Sequence, residues 1–315
     1  MSFQPDVLEW LLAGDPAIRW QTMRDLQDAP EAAWRIEQER VAAEGWGARL
    51  LAHRDEGGRW TPRLYGKKWL STTYSLLLLR ELGLPRADPR ARRSCELFLE
   101  EGLGRDGGID LSAGRQGSET CITGLVIGLL SWFGIKDDRR ELIVYYLLRE
   151  QMTDGGWNCQ RSRGATHSSF HTTINVLEGL RDYAQVHGPQ RAEVENAEAR
   201  AREFLLIHRL YRSHCTGAVF DPRMLRLSFP PRWRYDILRA LDYFRSADAP
   251  TDERIREAVD VLCSKRRPDG RWPLQQPHPG AVWFEMEKRG SPSRWNTLRA
   301  LRVLRWWSSG AAWSQ

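Results

Sequence analysis

Glycine-containing loops recur along this chain, and a largely apolar segment follows each of them. Gly58, Gly108, Gly156, Gly217 and Gly270 are spaced 50, 48, 61 and 53 residues apart. The loops around them read GGRW, DGGID, DGGWNC, HCTGAVF and DGRW. A period near fifty residues accommodates two helices and their connections, which is typical of a helical repeat array. The spacing therefore predicts a series of helical hairpins.

Apolar residues occur at helical spacing along nearly the whole chain, and the alternation typical of strands is almost absent. The pattern predicts apolar inner helices at about 69–82, 119–133, 170–183, 233–244 and 294–307. Outer helices with one charged side are predicted at about 32–52, 88–101, 138–152, 192–208 and 252–265. Segments 7–12 and 16–26 complete a sixth pair. Closure into a ring would bury the apolar helices, so we expect an all-α, α/α toroid in which residues 1–315 form one domain of five to six hairpins.

Composition and charge argue against several classes of protein. The 47 basic and 41 acidic residues are interspersed, so the net charge of +6 predicts a solvated surface and no nucleic-acid partner. The longest uncharged run, 120–135, has 16 residues, fewer than the roughly 20 needed to span a bilayer. No secretory signal is recognisable, and the five cysteines are widely spaced. We therefore expect a cytoplasmic protein without a transmembrane segment.

Two of the loops carry a more specific pattern. Residues 151–157 read QMTDGGW, which matches Q-x3-G-x-W, the motif repeated in squalene and oxidosqualene cyclases. Residues 266–272 read RRPDGRW, with Arg in place of Gln. The chain thus resembles the terpenoid cyclase/protein prenyltransferase superfamily, and the resemblance implies an α6–α6 barrel. In such a loop the glycine permits a positive φ at a helix end, and the tryptophan packs between repeats.

A second likeness concerns the starts of two inner helices. Protein prenyltransferase β subunits hold zinc with an Asp-x-Cys at the start of one inner helix and a His at the start of the next. Here Glu119-Thr-Cys121 and His171 stand at those places, with Glu replacing Asp. The resemblance implies that Glu119, Cys121 and His171 bind Zn²⁺. Zinc usually takes four ligands, so Cys159, His167, water or substrate would complete the site.

The number of protein ligands separates two interpretations of that site. Four protein ligands would make the zinc structural, whereas an open position would make it catalytic. The alternative without metal is that Cys121 is an ordinary core residue, because cysteine is often buried. His214-Cys215 is a weaker, separate pair that we assign to loop packing. His53, His187, His208 and His278 have no evident partners, and we expect them on the surface.

Basic and aromatic residues near the other inner-helix starts would ring one end of a closed barrel. The candidates for binding a diphosphate are Arg115, Arg232, Arg234 and Arg294. Trp233 and Trp295 could line the cavity and stabilise an isoprenoid cation through their ring faces. The alternative is that such polar residues cap helices and that the tryptophans belong to the core.

Four functions remain in competition. The first is a prenyltransferase-type enzyme in which zinc holds a thiolate for attack on an allylic diphosphate. The second is a cyclase in which Glu119 or Asp236 acts as the acid, although the Asp-x-Asp-Asp motif of class II cyclases is absent. The third is a non-enzymatic toroid with structural zinc that binds a lipid or a protein. The fourth, carbohydrate hydrolysis, would need Glu119 and Asp236 to face each other.

We favour an enzyme of the superfamily that acts on an isoprenoid or similarly apolar substrate in the central cavity. A partner protein is possible for such an enzyme, but no feature of the sequence indicates one.

Overall fold

The computed structural model describes residues 5–112, 114, 117–186 and 190–311. In this part of the chain, inner and outer helices alternate along the sequence. The inner ring consists of α2 (Pro16–Leu26), α5 (Thr72–Leu82), α7 (Thr120–Trp132), α9 (Phe170–Ala184), α11 (Ile237–Ser246) and α13 (Arg294–Ala311).

The outer ring supplies the partner that precedes each inner helix. Before α5 the partner is a pair, α3 and α4, joined by a short 3₁₀ turn. The outer helices are α1 (Pro5–Leu12), α3 (Glu31–Glu39), α4 (Gly45–Leu51), α6 (Pro89–Glu101), α8 (Arg139–Arg149), α10 (Arg191–Ile207) and α12 (Arg256–Ser264). The hairpins match the predicted pairs, including the sixth pair formed by α1 and α2.

The inner helices close on themselves. α7 packs closely against α9, where a Cβ on Gly179 would lie 2.1 Å from the carbonyl oxygen of Gly124. The last helix meets the first inner helix through Arg302, which donates hydrogen bonds to Gln21 (3.0 Å) and Asp25 (3.2 Å). These contacts join α13 to α2, so the predicted α/α toroid is confirmed.

The tryptophan of each GxW-type loop joins the outer helix to the inner helix of the same hairpin. The indole N–H of Trp157 donates to the carbonyl of Leu147 in the outer helix (2.7 Å), and its backbone N–H donates to the Thr173 hydroxyl in the inner helix that follows (3.0 Å). Trp60 and Trp272 make the same pair of bonds. Gly155 has a φ of +95°, and a Cβ there would lie 2.5 Å from the Arg200 carbonyl oxygen. The glycine therefore has the positive φ predicted for it, whereas these hydrogen bonds of the tryptophan lie within one repeat.

The predicted outer helix 32–52 is divided into α3 and α4, and α11 begins at Ile237 and not at residue 233. Arg232 has a φ of +59°, so the preceding segment is not helical. Asp236 is the N-cap, and its side chain accepts a hydrogen bond from the backbone N–H of Arg239. Among the described residues, no helix combines the length and the hydrophobicity needed to cross a bilayer.

Candidate binding site at the amino-terminal mouth of the barrel

A cavity of about 540 Å³ lies beside the amino-terminal ends of α5 and α13. Residues 273–293, the long connection between α12 and α13, form one of its walls, and we call them the mouth segment. Trp69, Leu78 and Phe229 contribute apolar surface from the opposite side. Cavities of this size and character are typical of small-molecule sites.

Hydrogen bonds and ring contacts hold the mouth segment in place. The indole N–H of Trp69 donates to the carbonyl of Pro279 (3.0 Å), and that of Trp283 donates to the Ser75 hydroxyl (3.3 Å). Trp283 also stacks on His53, with ring centroids 4.3 Å apart. The segment is therefore anchored to α5 and to the loop before it, although it has no regular helix of its own.

Arg232 is the buried arginine of this cavity, which Glu285, Glu287, Lys288 and Arg289 of the mouth segment also line. It is only 9% exposed, and its guanidinium lies 5.3 Å from the ring centroid of Trp69. Its side chain forms no ion pair and no hydrogen bond with any residue that the structure describes. Burial lowers its pKa to about 10, and Tyr74 offsets only part of this effect. A buried cation without a partner is costly, so Arg232 presents an unsatisfied site for an anion.

His278 lines the same cavity and carries two further unsatisfied groups. Both ring nitrogens are buried and have no hydrogen-bond partner in the described part of the chain. Burial, followed by the nearby Arg234 and Arg232, lowers the pKa of His278 to about 3. The imidazole is therefore neutral at pH 7, with one donor and one acceptor available. The expectation that His278 lies on the surface is wrong, because the mouth segment turns it inward.

Three of the predicted metal ligands come together beside this cavity. The Cys121 thiol lies 4.0 Å from a carboxylate oxygen of Glu119. A hydrogen bond from Cys121 lowers the pKa of Cys159 to about 6, and the same contact and burial raise the pKa of Cys121 well above its usual value. Burial, followed by the nearby Cys159, raises the pKa of Glu119. The cluster thus places the Cys159 thiolate near a buried carboxyl group.

The two predicted histidine ligands are placed differently. Nδ1 of His171 accepts a hydrogen bond from the backbone N–H of Tyr235 (2.8 Å), and its ring packs edge-on against Trp233. Burial and Arg234 lower the pKa of His171 to about 4, so the ring is neutral and Nε2 carries its proton. Neither nitrogen then offers a free lone pair to a metal. The other histidine, His167, is exposed.

Zinc does not fit this arrangement. Within residues 5–112, 114, 117–186 and 190–311 there is no group of three or more His, Cys, Asp or Glu placed to hold a metal ion. The zinc site implied by the family resemblance therefore stays a prediction, and the function proposed for this protein does not depend on a metal.

The predicted substrate-binding residues divide between the mouth and the core. Arg234 lies 4.6 Å from the ring centroid of Trp233 and forms no ion pair with a described residue. Arg294 instead donates to the carbonyl of Trp10, which ties α13 to α1. Trp295 is buried and stacks on Phe229 with ring centroids 4.1 Å apart. Arg115 and His187 lie outside the described residues.

Asp236, the second predicted acid, is a structural residue. One carboxylate oxygen accepts from the backbone N–H of Arg239 (2.8 Å), and the other accepts from the Ser228 hydroxyl (2.6 Å). The side chain is 1% exposed, so these bonds account for the whole carboxylate. This geometry gives no support to the expectation that Asp236 acts as a catalytic acid opposite Glu119.

The pair His214-Cys215 belongs to a separate chain of contacts on an exposed loop. The Cys215 sulfur lies 3.2 Å from Nε2 of His214, and Nδ1 of His214 lies 2.9 Å from Nε2 of His208. His208 therefore has partners, contrary to the prediction, and Nδ1 of its ring bonds to the carbonyl of Phe204.

No protein-family model matches the chain, and no curated protein matches it in sequence. Solved structures do match. A polysaccharide lyase has a TM-score of 0.50 at 10% identity, covering 98% of this chain and 97% of that one. A glycosyl hydrolase of family 88 from Bacteroides vulgatus has a TM-score of 0.49 at 12% identity, covering 95% and 90%. A type II terpene cyclase from Scytonema, in complex with geranylgeranyl dihydroxybenzoate, has a TM-score of 0.46 at 17% identity, covering 94% and 87%.

At these identities the likeness concerns the fold alone. The likeness to the polysaccharide lyase agrees with the all-helical toroid. The function has to be argued from the residues of the site.

Proposed function

We propose that this toroid binds an apolar small molecule with an acidic head group in the mouth cavity, and that Arg232 binds the head group. The observation that carries the proposal is the buried, unpaired guanidinium of Arg232 in a largely apolar cavity. The chemical class is an isoprenoid or similar chain that ends in a diphosphate or a carboxylate. A guanidinium can make two parallel hydrogen bonds to either group.

Neighbouring groups are suited to the rest of such a ligand. His278 is neutral, so it can donate one hydrogen bond to the head group and accept another without adding charge. Trp69, Trp283 and Phe284 line the cavity and offer ring faces to an unsaturated chain. Binding would supply Arg232 with the counter-charge that the described part of the protein does not provide.

Binding measurements with a matched pair of ligands test this proposal. We expect farnesyl diphosphate to bind the wild-type protein in isothermal titration calorimetry and farnesol to bind at least about tenfold more weakly, because it lacks the anion. Arg232→Met should remove this preference, whereas Arg92→Met, which changes a half-buried arginine of α6 that does not line the cavity, should keep it. Palmitate distinguishes a carboxylate from a diphosphate head group. Equal affinity of the wild-type and Arg232→Met proteins for every acid would refute the assignment.

A second candidate function, catalysis on the bound ligand, is favoured by the thiolate of Cys159 near the mouth. Tyr74 lies between the mouth cavity and the cysteine cluster. Its ring packs edge-on against that of Trp69, with centroids 4.8 Å apart, and its hydroxyl lies 3.3 Å from that of Tyr65. Besides burial, the charges of Cys121 and Glu119 in turn raise the pKa of Tyr65. A nucleophile and a carboxyl group whose pKa is raised by burial therefore lie at the same end of the barrel as the cavity.

Release of inorganic diphosphate from farnesyl diphosphate would show turnover. We expect release in the wild type and its loss in Cys159→Ser, with the unrelated exposed cysteine variant Cys263→Ser as the control. Binding without release in the wild type would leave the binding function and exclude this reaction.

A further inference from the structure

A larger cavity, of about 730 Å³, lies at the opposite end of the barrel. The later parts of α2, α5, α9 and α11 line it, together with the middle of α13. Nine arginines and only five acidic residues face this cavity. The arginines are Arg24, Arg35, Arg80, Arg86, Arg181, Arg239, Arg245, Arg299 and Arg302.

The buried arginines of this cavity share their carboxylates. Asp242 lies within 2.8 Å of Arg245, 2.5 Å of Arg302 and 3.5 Å of Arg299. Burial alone would raise the pKa of Asp242, but the three guanidiniums together outweigh burial and hold it well below its usual range. Of these three guanidiniums only Arg302 has a second carboxylate partner among the described residues, Asp25 at 3.2 Å, so positive charge is in excess in this network.

A second carboxylate is shared in the same way. Glu178 lies 2.7 Å from Arg239 and 3.4 Å from Arg80. Burial opposes ionisation of Glu178, yet Arg239 and Arg80 lower its pKa to about 2. Both shared carboxylates are therefore fully ionised at pH 7 and cannot supply further negative charge.

Helix dipoles explain only part of the arginine excess. Cations are favoured in the last turn of a helix, where the carbonyl groups point outward. Arg80, Arg181 and Arg245 occupy such positions, but Arg239 lies in the first turn of α11 and Arg302 in the middle of α13. The dipole effect also falls off within one turn, so an external anion is needed to balance the remaining charge.

The rim of the cavity has groups ready for such an anion. Arg86 is exposed and lies 4.6 Å from the ring centroid of Trp132, and it forms no ion pair with a described residue. The indole N–H of Trp132 is buried without a partner in the part of the chain that the structure describes. Arg24 lies on the other side of the cavity, over the ring of Trp20 (4.6 Å), and its guanidinium also pairs with Asp25 (2.6 Å).

We propose that this cavity is a binding site for a multivalent oxyanion of the diphosphate class, separate from the mouth cavity. Arg24 and Arg86 bind the anion at the rim, and the buried network supplies the attractive field behind them. Guanidinium groups suit phosphate oxygens in geometry and charge. A diphosphate matches the excess of positive charge better than a single carboxylate does.

Calorimetric titrations with inorganic diphosphate and with ADP test this proposal, and both are repeated on Arg232→Met to silence the mouth cavity. We expect diphosphate to bind Arg232→Met, and binding to weaken with added salt. Binding of ADP as well would assign a diphosphate ester, and binding of diphosphate alone would assign the free anion.

Rim variants connect that binding to this cavity. The double variant Arg24→Gln/Arg86→Gln should lose roughly tenfold or more in affinity for diphosphate, whereas Arg92→Gln should keep full affinity. Circular dichroism and a melting curve check that the double variant is folded. Full affinity in the folded double variant, or no heat from either probe with the wild type, would overturn the assignment.

Discussion

At the amino-terminal mouth, Arg232 is 9% exposed and bonds to no carboxylate of a described residue. At the opposite end of the barrel, Arg80 is 8% exposed and pairs with three carboxylates. Arg239 is 3% exposed and bonds to Glu178 and Asn175. Burial is thus nearly the same at the two ends. What differs is the counter-charge beside these buried arginines, which carboxylates of the protein supply to Arg80 and Arg239 but not, among the described residues, to Arg232.

This contrast shows how a stable fold can hold different kinds of site at its two ends. A buried ion pair costs little as long as both partners stay, but removing one partner leaves a buried charge. The end with the shared carboxylates should therefore be sensitive to mutation. The mouth already contains the unpaired charge, so removing Arg232 should not destabilise the fold.

The largest effect is expected for Asp242→Asn. Arg245, Arg299 and Arg302 would lose their shared carboxylate, and the free energy of unfolding should fall by about 3–5 kcal/mol. Urea denaturation followed by circular dichroism measures the change. Asp260→Asn, which alters an exposed carboxylate of α12, is the matched control and should have little effect. A loss of less than about 1 kcal/mol in Asp242→Asn would remove the contrast between the two ends.

The next effect concerns pH and His278. Its pKa is about 3 in the folded protein and 6.5 in its ordinary state, so the unfolded chain takes up the proton first as the pH falls. The stability it contributes is present above pH 6.5 and decreases below that value, by about 2 kcal/mol on going from pH 7 to pH 5. Besides burial, the titratable groups that lower the pKa of His278 are Arg234, Arg232, Arg239 and His171.

Comparing His278→Gln with the wild type at the two pH values isolates this contribution. The variant should lose about 2 kcal/mol less between pH 7 and pH 5 in urea denaturation. His53→Gln, at an exposed histidine beside the mouth segment, should behave like the wild type. Identical pH profiles for His278→Gln and the wild type would mean that His278 is accessible to water.

The fold could be predicted from the sequence because its signals are local and repeated. Gln151 and Trp157 lie in one loop, and Gln151 bonds to Gly155 in the same loop as well as to Ala197. Arg266 takes the place of Gln151 in the last loop and bonds to the equivalent carbonyl, that of Gly270. Apolar spacing and glycine positions were sufficient to place most helices within a few residues.

The site was harder to predict because its contacts join distant, irregular segments. His278 belongs to a segment without periodicity, and it approaches Arg232 only after the barrel has closed. Cys159, which the sequence offered as one of several possible fourth ligands, lies beside Cys121. The bond from Tyr235 to His171 could not be foreseen, because it depends on the non-helical start of α11. The shared carboxylates were missed for a related reason, since Asp242 and Arg302 are 60 residues apart on helices that read as apolar.

A smaller effect of opposite sign is expected for Arg232→Met in the absence of ligand. Methionine keeps the apolar stem and removes the unpaired charge, so the free energy of unfolding should rise by about 1 kcal/mol. The same variant should lose its preference for acidic ligands, which separates a binding role from a structural one. Destabilisation by Arg232→Met would mean that the guanidinium has a partner within the protein.

The smallest effect on stability is expected at the rim of the arginine-rich cavity. Arg86 is exposed and lacks an ion pair with a described residue, so Arg86→Gln should change the free energy of unfolding by no more than about 0.5 kcal/mol. Its effect should appear instead when diphosphate is present, as a smaller rise in melting temperature than the wild type shows. Comparing the stability of Arg86→Gln with that of Asp242→Asn therefore distinguishes the rim of this cavity from its buried network. If Arg86→Gln were as destabilising as Asp242→Asn, the rim would belong to the structural network and the anion would have to bind elsewhere.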